Sequence, residues 1–238
     1  MNLSEMAVRA KQASRSLRQL DNETRNGVLR DFAWGLAEQA EHIINENALD
    51  LEEAKANGMS EAMLDRLMLN KSRIDQIAEG ILQVEHLEDP LNRVLEERTL
   101  ESGIHLKKVS VPIGVIGIIF ESRPNVTADC AALCFKSGNA CVLKGGKESY
   151  RSCFAIVSVM KEALKKHGVS EDAVMLAEKP SHEETQKFME DKNVYLGTQI
   201  ERAGEERCVG AVADEGFILL CSYGEGGAEP ELLAYKKR

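Results

Sequence analysis

Apolar residues recur at three- and four-residue steps through much of the first 90 positions. Between residues 23 and 47, Val28, Leu29, Phe32, Leu36, Ala40, Ile43 and Ile44 fall on one stripe, which predicts a helix with one buried face. Gly58 ends that segment or a short continuation of it. A further helix is predicted over 71–84, where Ile74, Ile77, Ala78 and Ile81 repeat the period and Asp89 with Pro90 marks the stop. Residues 98–100 and 104–109 flank Glu101, Ser102 and Gly103, which predicts a hairpin with glycine in its turn. Alternation in its second strand puts Ile104 and Leu106 on an inner face, and His105 and Lys107 on a face for solvent or a partner subunit.

From Val111 the pattern changes. Residues 113–120 form a nearly continuous Ile- and Val-rich run, as expected of a parallel strand covered on both faces. A helix follows from near Pro124 to Lys136, with Gly138 as its stop. A short strand over 140–143 leads to the loop Lys144-Gly145-Gly146-Lys147. A helix carrying Phe154, Val157, Met160 and Leu164 then runs to Gly168, and residues 173–177 read as a third strand. Strand and helix alternating in this way is the mononucleotide-binding half of a doubly wound sheet, which collects ligands at the carboxyl ends of its strands. The fold class is therefore α/β, with N-terminal helices ahead of a partial parallel sheet. Residues 183–189 still read as a helix. Beyond residue 193 the only strand-like run is 217–221, and the tail is expected to be irregular or disordered.

Composition narrows the function classes. The chain has 238 residues with 43% hydrophobic and 29% charged content, which is globular, and a net charge of −9 with 5% aromatics speaks against a nucleic-acid groove. Small anionic ligands remain compatible, since they bind local charge. The longest apolar run is far shorter than the roughly 20 residues a membrane span requires, so no membrane association is expected. Cysteines at 130, 134, 141, 153, 208 and 221 lack CxxC or Cys/His ligand spacing, so neither a metal site nor a disulfide framework is expected. A reducing cytoplasm fits this usage. Residues 1–20 carry Arg9, Lys11, Arg15 and Arg18 and read as an amphipathic helix, the alternative being a targeting presequence.

The strand-end loops hold the candidate chemistry. In Lys144-Gly145-Gly146-Lys147 the glycine pair lets backbone approach a ligand, and two lysines supply cationic donors without the acidic residue that ties the ribose 2′-hydroxyl in NAD sites. That favours a 2′-phosphate, with a solvated basic turn as the plainer reading. Neither GxGxxG after the first strand nor GxxxxGK[ST] occurs. In Glu121-Ser122-Arg123-Pro124-Asn125, Pro124 suits a first helical turn, Asn125 offers an uncharged amide donor for an oxyanion, and Arg123 could grip a carboxylate or phosphate. The plainer reading is a helix start with a surface ion pair.

The stretch VPIGVIGIIFESRPNVTADCAALCFKSGNACVLKGGKES, residues 111–149, resembles the γ-glutamyl phosphate reductase (glutamate-5-semialdehyde dehydrogenase) family of the aldehyde dehydrogenase superfamily. ESRPNVT and KSGNA followed by GGKE carry the likeness, and SRIDQIAEGILQVEHLEDPLNRVLEERTL, residues 72–100, extends it. It covers residues 1 to about 192. The resemblance implies NADPH-dependent reduction of γ-glutamyl phosphate to glutamate 5-semialdehyde, with phosphate release, in proline biosynthesis. It implies that Lys144, with Gly145, Gly146 and Lys147, binds the cofactor around its ribose 2′-phosphate, that Asn125 contributes to the oxyanion hole, and that the hairpin belongs to an oligomerisation element of a homo-oligomer. In that family a cysteine thiolate expels phosphate to give a thioester, which is then reduced.

The implied organisation is a helical segment over 1–97, the hairpin over 98–110, a partial cofactor-binding domain over 111–192, and a divergent tail over 193–238. The abrupt loss of likeness near 193 suggests an out-of-frame or replaced terminus, and a length near half of a reductase. No cysteine matches the surroundings of the nucleophile, which lies in a later domain of that family. The alternative function is a truncated, non-catalytic cofactor-binding or subunit-interaction fragment.

Overall fold

The computed structural model describes residues 1–178, 181–191, 194–199, 207–211, 217–220, 222–223 and 233–236. Five helices open the chain: α1 (Leu3–Leu17), α2 (Asn22–Glu38), α3 (Ala40–Ala56), α4 (Glu61–Leu67) and α5 (Lys71–His86). Asn2 caps α1 in a reciprocal box with Glu5, and Leu3, Met6, Ala7, Ala10 and Leu17 are buried. The first basic segment is thus a core helix, and Arg9 pairs with Asp172 at 2.7 Å.

The stripe over 23–47 was expected in one helix and occupies two. Gln39, at φ −94° and ψ 14°, turns the chain between α2 and α3, yet Phe32, Leu36, Ala40 and Ile43 on both sides remain buried. Hydrophobic period survives because both helices face the same core, so the break leaves no trace in it.

The hairpin is β1 (Val94–Thr99) with β2 (His105–Val109), paired antiparallel, with Gly103 at φ +84° in the turn. Thr99 lies opposite His105 and Arg98 opposite Leu106. Every residue of both strands is exposed, including Leu95 and Leu106, so the alternation marks no internal face within the chain.

The sheet is built from β3 (Val115–Ile119), β4 (Ala140–Lys144), β5 (Val174–Leu176) and β6 (Tyr195–Gln199). Its helices are α6 (Pro124–Lys136), α7 (Tyr150–Lys166) and α8 (His182–Met189). The order is β5-β4-β3-β6, all parallel, so the strand order reverses at β3. That reversal opens a crevice beyond the strand carboxyl ends. Nearly continuous burial of Val115, Ile116, Ile118 and 140–143 reflects helices on both faces. On α7, Cys153, Ile156, Val157, Met160 and Leu164 face the core while Phe154 is exposed.

The tail was expected to hold one strand over 217–221. Its described residues form β6, β7 (Arg207–Ala211), β8 (Phe217–Leu220), β9 (Ser222–Tyr223) and β10 (Leu233–Lys236). β7 extends the sheet antiparallel to β6, and β8 pairs with β10. Strands this short carry too few positions to show a period in the sequence. The expectation for the rest of the tail lies outside the described residues.

A buried polar contact fixes α7, and with it the loop after β4. Ser149 makes no side-chain cap for α7. Asp50 of α3 does that work from a distance, accepting from the Ser152 backbone N–H at 2.9 Å, the Arg151 N–H at 3.4 Å and the Ser152 hydroxyl at 2.6 Å. Burial still pushes the Asp50 carboxyl up.

Candidate functional site

Two loops meet at the strand carboxyl ends. The Phe120 N–H donates to the Lys144 carbonyl at 3.0 Å, and the Ser122 hydroxyl donates to Glu148 at 3.0 Å. Gly146 lies so close that a Cβ there would stand 2.6 Å from Ser122 Oγ and 3.2 Å from the Ser122 backbone nitrogen. Only glycine allows this approach. A turn over Lys147–Ser149 then feeds α7, with the Ser149 hydroxyl donating to the Gly146 carbonyl at 3.1 Å. Lys144, Gly145, Gly146 and Lys147 therefore form one short, tied ledge, with Lys144 half-buried at its inner end and Lys147 exposed.

Arg123 and Asn125 serve a different space. Arg123 is the N-cap of α6, Pro124 occupies the first turn, and the Arg123 N–H donates to the Glu121 carbonyl at 2.7 Å. Both Arg123 and Asn125 line a cleft of about 1210 Å³ between α5 and α6, whose other walls include Asp65, Arg73, His86 and Asp129. The cleft is not lined by the 144–147 ledge, so the expected residues divide into two groups joined through 120–125.

Three residues that sequence reasoning passed over belong here. Ser122 and Glu148 tie the two loops. Asp129 stands one turn after Asn125 on α6 and accepts a hydrogen bond from its amide, while burial pushes the carboxyl up to about 7. The four-residue spacing was the available signal, since it sets both side chains on one face.

Among the described cysteines, Cys134, Cys141 and Cys153 are ill placed for nucleophilic attack. Cys134, Cys141 and Cys153 are buried, and Cys130 is half-buried. Burial drives the Cys153 thiol up to about 11, and hydrogen bonding with Cys141 followed by burial raises Cys134 well above its usual value. The Cys208 side chain and Cys221 lie outside the described residues. Among the described residues there is no cluster fit for a metal ion, and no helix is long and apolar enough to cross a membrane.

This parallel sheet with its helices is the architecture of aldehyde dehydrogenases, and the chain belongs to the aldehyde dehydrogenase family, whose profile matches residues 2–198. The match runs to β6, a little beyond residue 192 where the likeness was expected to end. Among curated proteins, the chain is 43% identical over 218 residues to the gamma-glutamyl phosphate reductase of Wolinella succinogenes, covering 92% of this chain and 53% of that protein. It is 48% identical over 178 residues to the enzyme of that name from Escherichia coli O81, covering 75% of this chain and 43% of that protein. The crystal structure of gamma-glutamyl phosphate reductase from Thermotoga maritima superposes with a TM-score of 0.77 at 36% identity, covering 79% of this chain and 46% of that one. The chain spans about half the length of the curated relatives it matches.

Proposed function

We propose that this chain supplies the cofactor-binding and acyl-orienting half of an NADPH-dependent reduction of L-γ-glutamyl phosphate to L-glutamate 5-semialdehyde, a step of proline biosynthesis in the cytoplasm. The observation that carries the reading is the contact between the 120–125 and 144–147 loops at the point where strand order reverses. It sets the Lys144 ledge beside the start of α6.

The donor set of the ledge fits an NADP group. Lys144 and Lys147 offer ammonium charge without an acidic residue inside the Lys-Gly-Gly-Lys run, while the Glu148 carboxylate beside it is taken up by the Ser122 hydroxyl. Lys144 would hold the ribose 2′-phosphate, with Gly145, Gly146 and Lys147 around it. NADPH when bound supplies a hydride for reduction of the acyl carbon. Asn125, presented by the first turn of α6, donates an N–H to the acyl oxygen as negative charge develops there, and the helix start adds its partial positive charge. Arg123, which lines the same cleft, would meet the leaving phosphate or the substrate carboxylate. The exposed β1–β2 hairpin, with Leu95 and Leu106 bare, is the surface through which copies would associate.

A second reading is favoured by the raised thiol pKa values of Cys134 and Cys153: a cofactor-binding or subunit-interaction chain whose described thiols do not serve as the nucleophile. Phosphate-dependent oxidation of glutamate 5-semialdehyde by NADP, the reaction run backwards, separates the two. Turnover abolished by Cys208→Ser or Cys221→Ser assigns the nucleophile to that thiol and supports the full activity. NADPH binding without turnover supports the second reading. For cofactor choice, Lys144→Ala is expected to weaken NADPH by about tenfold or more while changing NADH little, since a charge-assisted contact contributes about 1.5–3 kcal/mol. Equal weakening of both cofactors would sink the phosphate role.

A further inference from the structure

The reading above gives no task to Asp129, the carboxyl of the α5–α6 cleft that lies one turn from Asn125. Asp129 lines the cleft together with Asn125 and Arg123. Only the hydrogen bond from Asn125 helps its ionisation, against burial in the cleft wall. The charged groups facing it from neighbouring elements are Asp65 and Arg66 of α4 and Arg73, Glu79 and His86 of α5. Arg73 is held by Asp65 at 2.9 Å and by the Met68 carbonyl at 2.8 Å, and His86 Nδ1 lies 2.6 Å from the Leu82 carbonyl. A partly buried carboxylate opening on a cleft, with the nearby Arg73 already engaged, is a receptor for a cation brought by a ligand.

The spacing says which cation. Cβ atoms four apart on a helix stand about 5–6 Å from one another, and the Asn125 amide meets the Asp129 carboxyl beyond them. In a γ-glutamyl group, four bonds separate the acyl carbon from the α-nitrogen, an extended reach of about 5 Å. An amide NH₂ carries two donors, so Asn125 can give one N–H to Asp129 and the other to the acyl oxygen.

We propose that Asp129 is a specificity-determining residue that receives the α-ammonium group of the substrate whose acyl oxygen rests on Asn125. The inference rests on the reading of Asn125 as the acyl-oxygen donor, and it names the substrate class as a γ-acyl α-amino acid.

The test uses two probes that differ in the amino group alone: L-glutamine and glutaramic acid, whose carbamoyl oxygen stands for the acyl oxygen. Each is titrated calorimetrically into the full chain, with and without NADPH. L-glutamine is expected to bind at least about tenfold more tightly, because it alone carries an ammonium group to pair with the Asp129 carboxylate. Asp129→Asn should bring the ratio to within about twofold of one with glutaramic acid unchanged, and Asp129→Glu should restore part of the preference. The wild-type preference should grow as pH rises through about 7, where Asp129 ionises, and be flat in Asp129→Asn, which separates it from His86, Asp65 and Glu79. An unchanged ratio in Asp129→Asn, equal binding of both probes by wild type, or binding of neither would overturn the proposal. NADPH affinity measured in the same samples keeps the two readings apart: a preference for L-glutamine without NADPH binding would sink the proposed cofactor role and leave Asp129 standing.

Discussion

On the proposed reading Asn125 donates to the acyl oxygen, and its partner Asp129 explains its orientation. With one N–H given to Asp129, the amide cannot flip without placing its oxygen against a carboxylate. The arrangement costs stability. A carboxyl raised to about 7 in the folded chain but ordinary when unfolded leaves stability intact below about pH 4 and removes it as pH rises through 7, because the unfolded state then binds fewer protons. Asp129→Asn is therefore expected to be neutral near pH 4 and stabilising above pH 7. The gain is on the order of 1–2 kcal/mol by urea denaturation, after allowing for screening by water in the open cleft. A variant less stable than wild type at pH 8 would contradict the burial of this carboxyl. The positions of Asn125, in the first turn of α6, and Lys144, at the end of β4, were legible in the sequence because each follows from its own short strand–turn. Asp129 was not, because the wall that buries it comes from α5, some fifty residues earlier.

At the scale of elements, packing decided what periodicity could not. The α2–α3 break at Gln39 left the apolar stripe intact, and the hairpin strands alternate apolar and polar residues although both faces are bare. Gly117, inside the apolar run of β3, shows a constraint of another kind. A Cβ there would meet the Phe188 ring of α8 and the Val194 side chain at 2.7 Å, so β3 admits α8 only with a glycine at this point. Gly117→Ala is expected to destabilise by about 1–3 kcal/mol through overpacking. It should also lower the cofactor affinity, because β3 carries the 120–125 loop. Denaturation and NADPH titration of the variant check both, and an unaffected melting curve would mean that α8 does not dock on β3.

For the whole molecule, the sequence motifs pointed to the family and to the two loops, and the fold adds why those loops act together. Strand order reverses at β3, and the two loops close on one another through Ser122, Gly146 and Glu148. What periodicity could not supply was the tail, where strands of two to five residues carry no pattern. The proposed division of labour is a ledge for a phosphorylated cofactor and a cleft for an acyl amino acid, with the Cys134 and Cys153 thiols held above their ordinary pKa.

Fluorescence titration of the purified chain with NADPH and NADH tests that division most directly. The structure predicts saturable NADPH binding at least about tenfold tighter than NADH. Equal affinity for the two, or no binding of either, would contradict it.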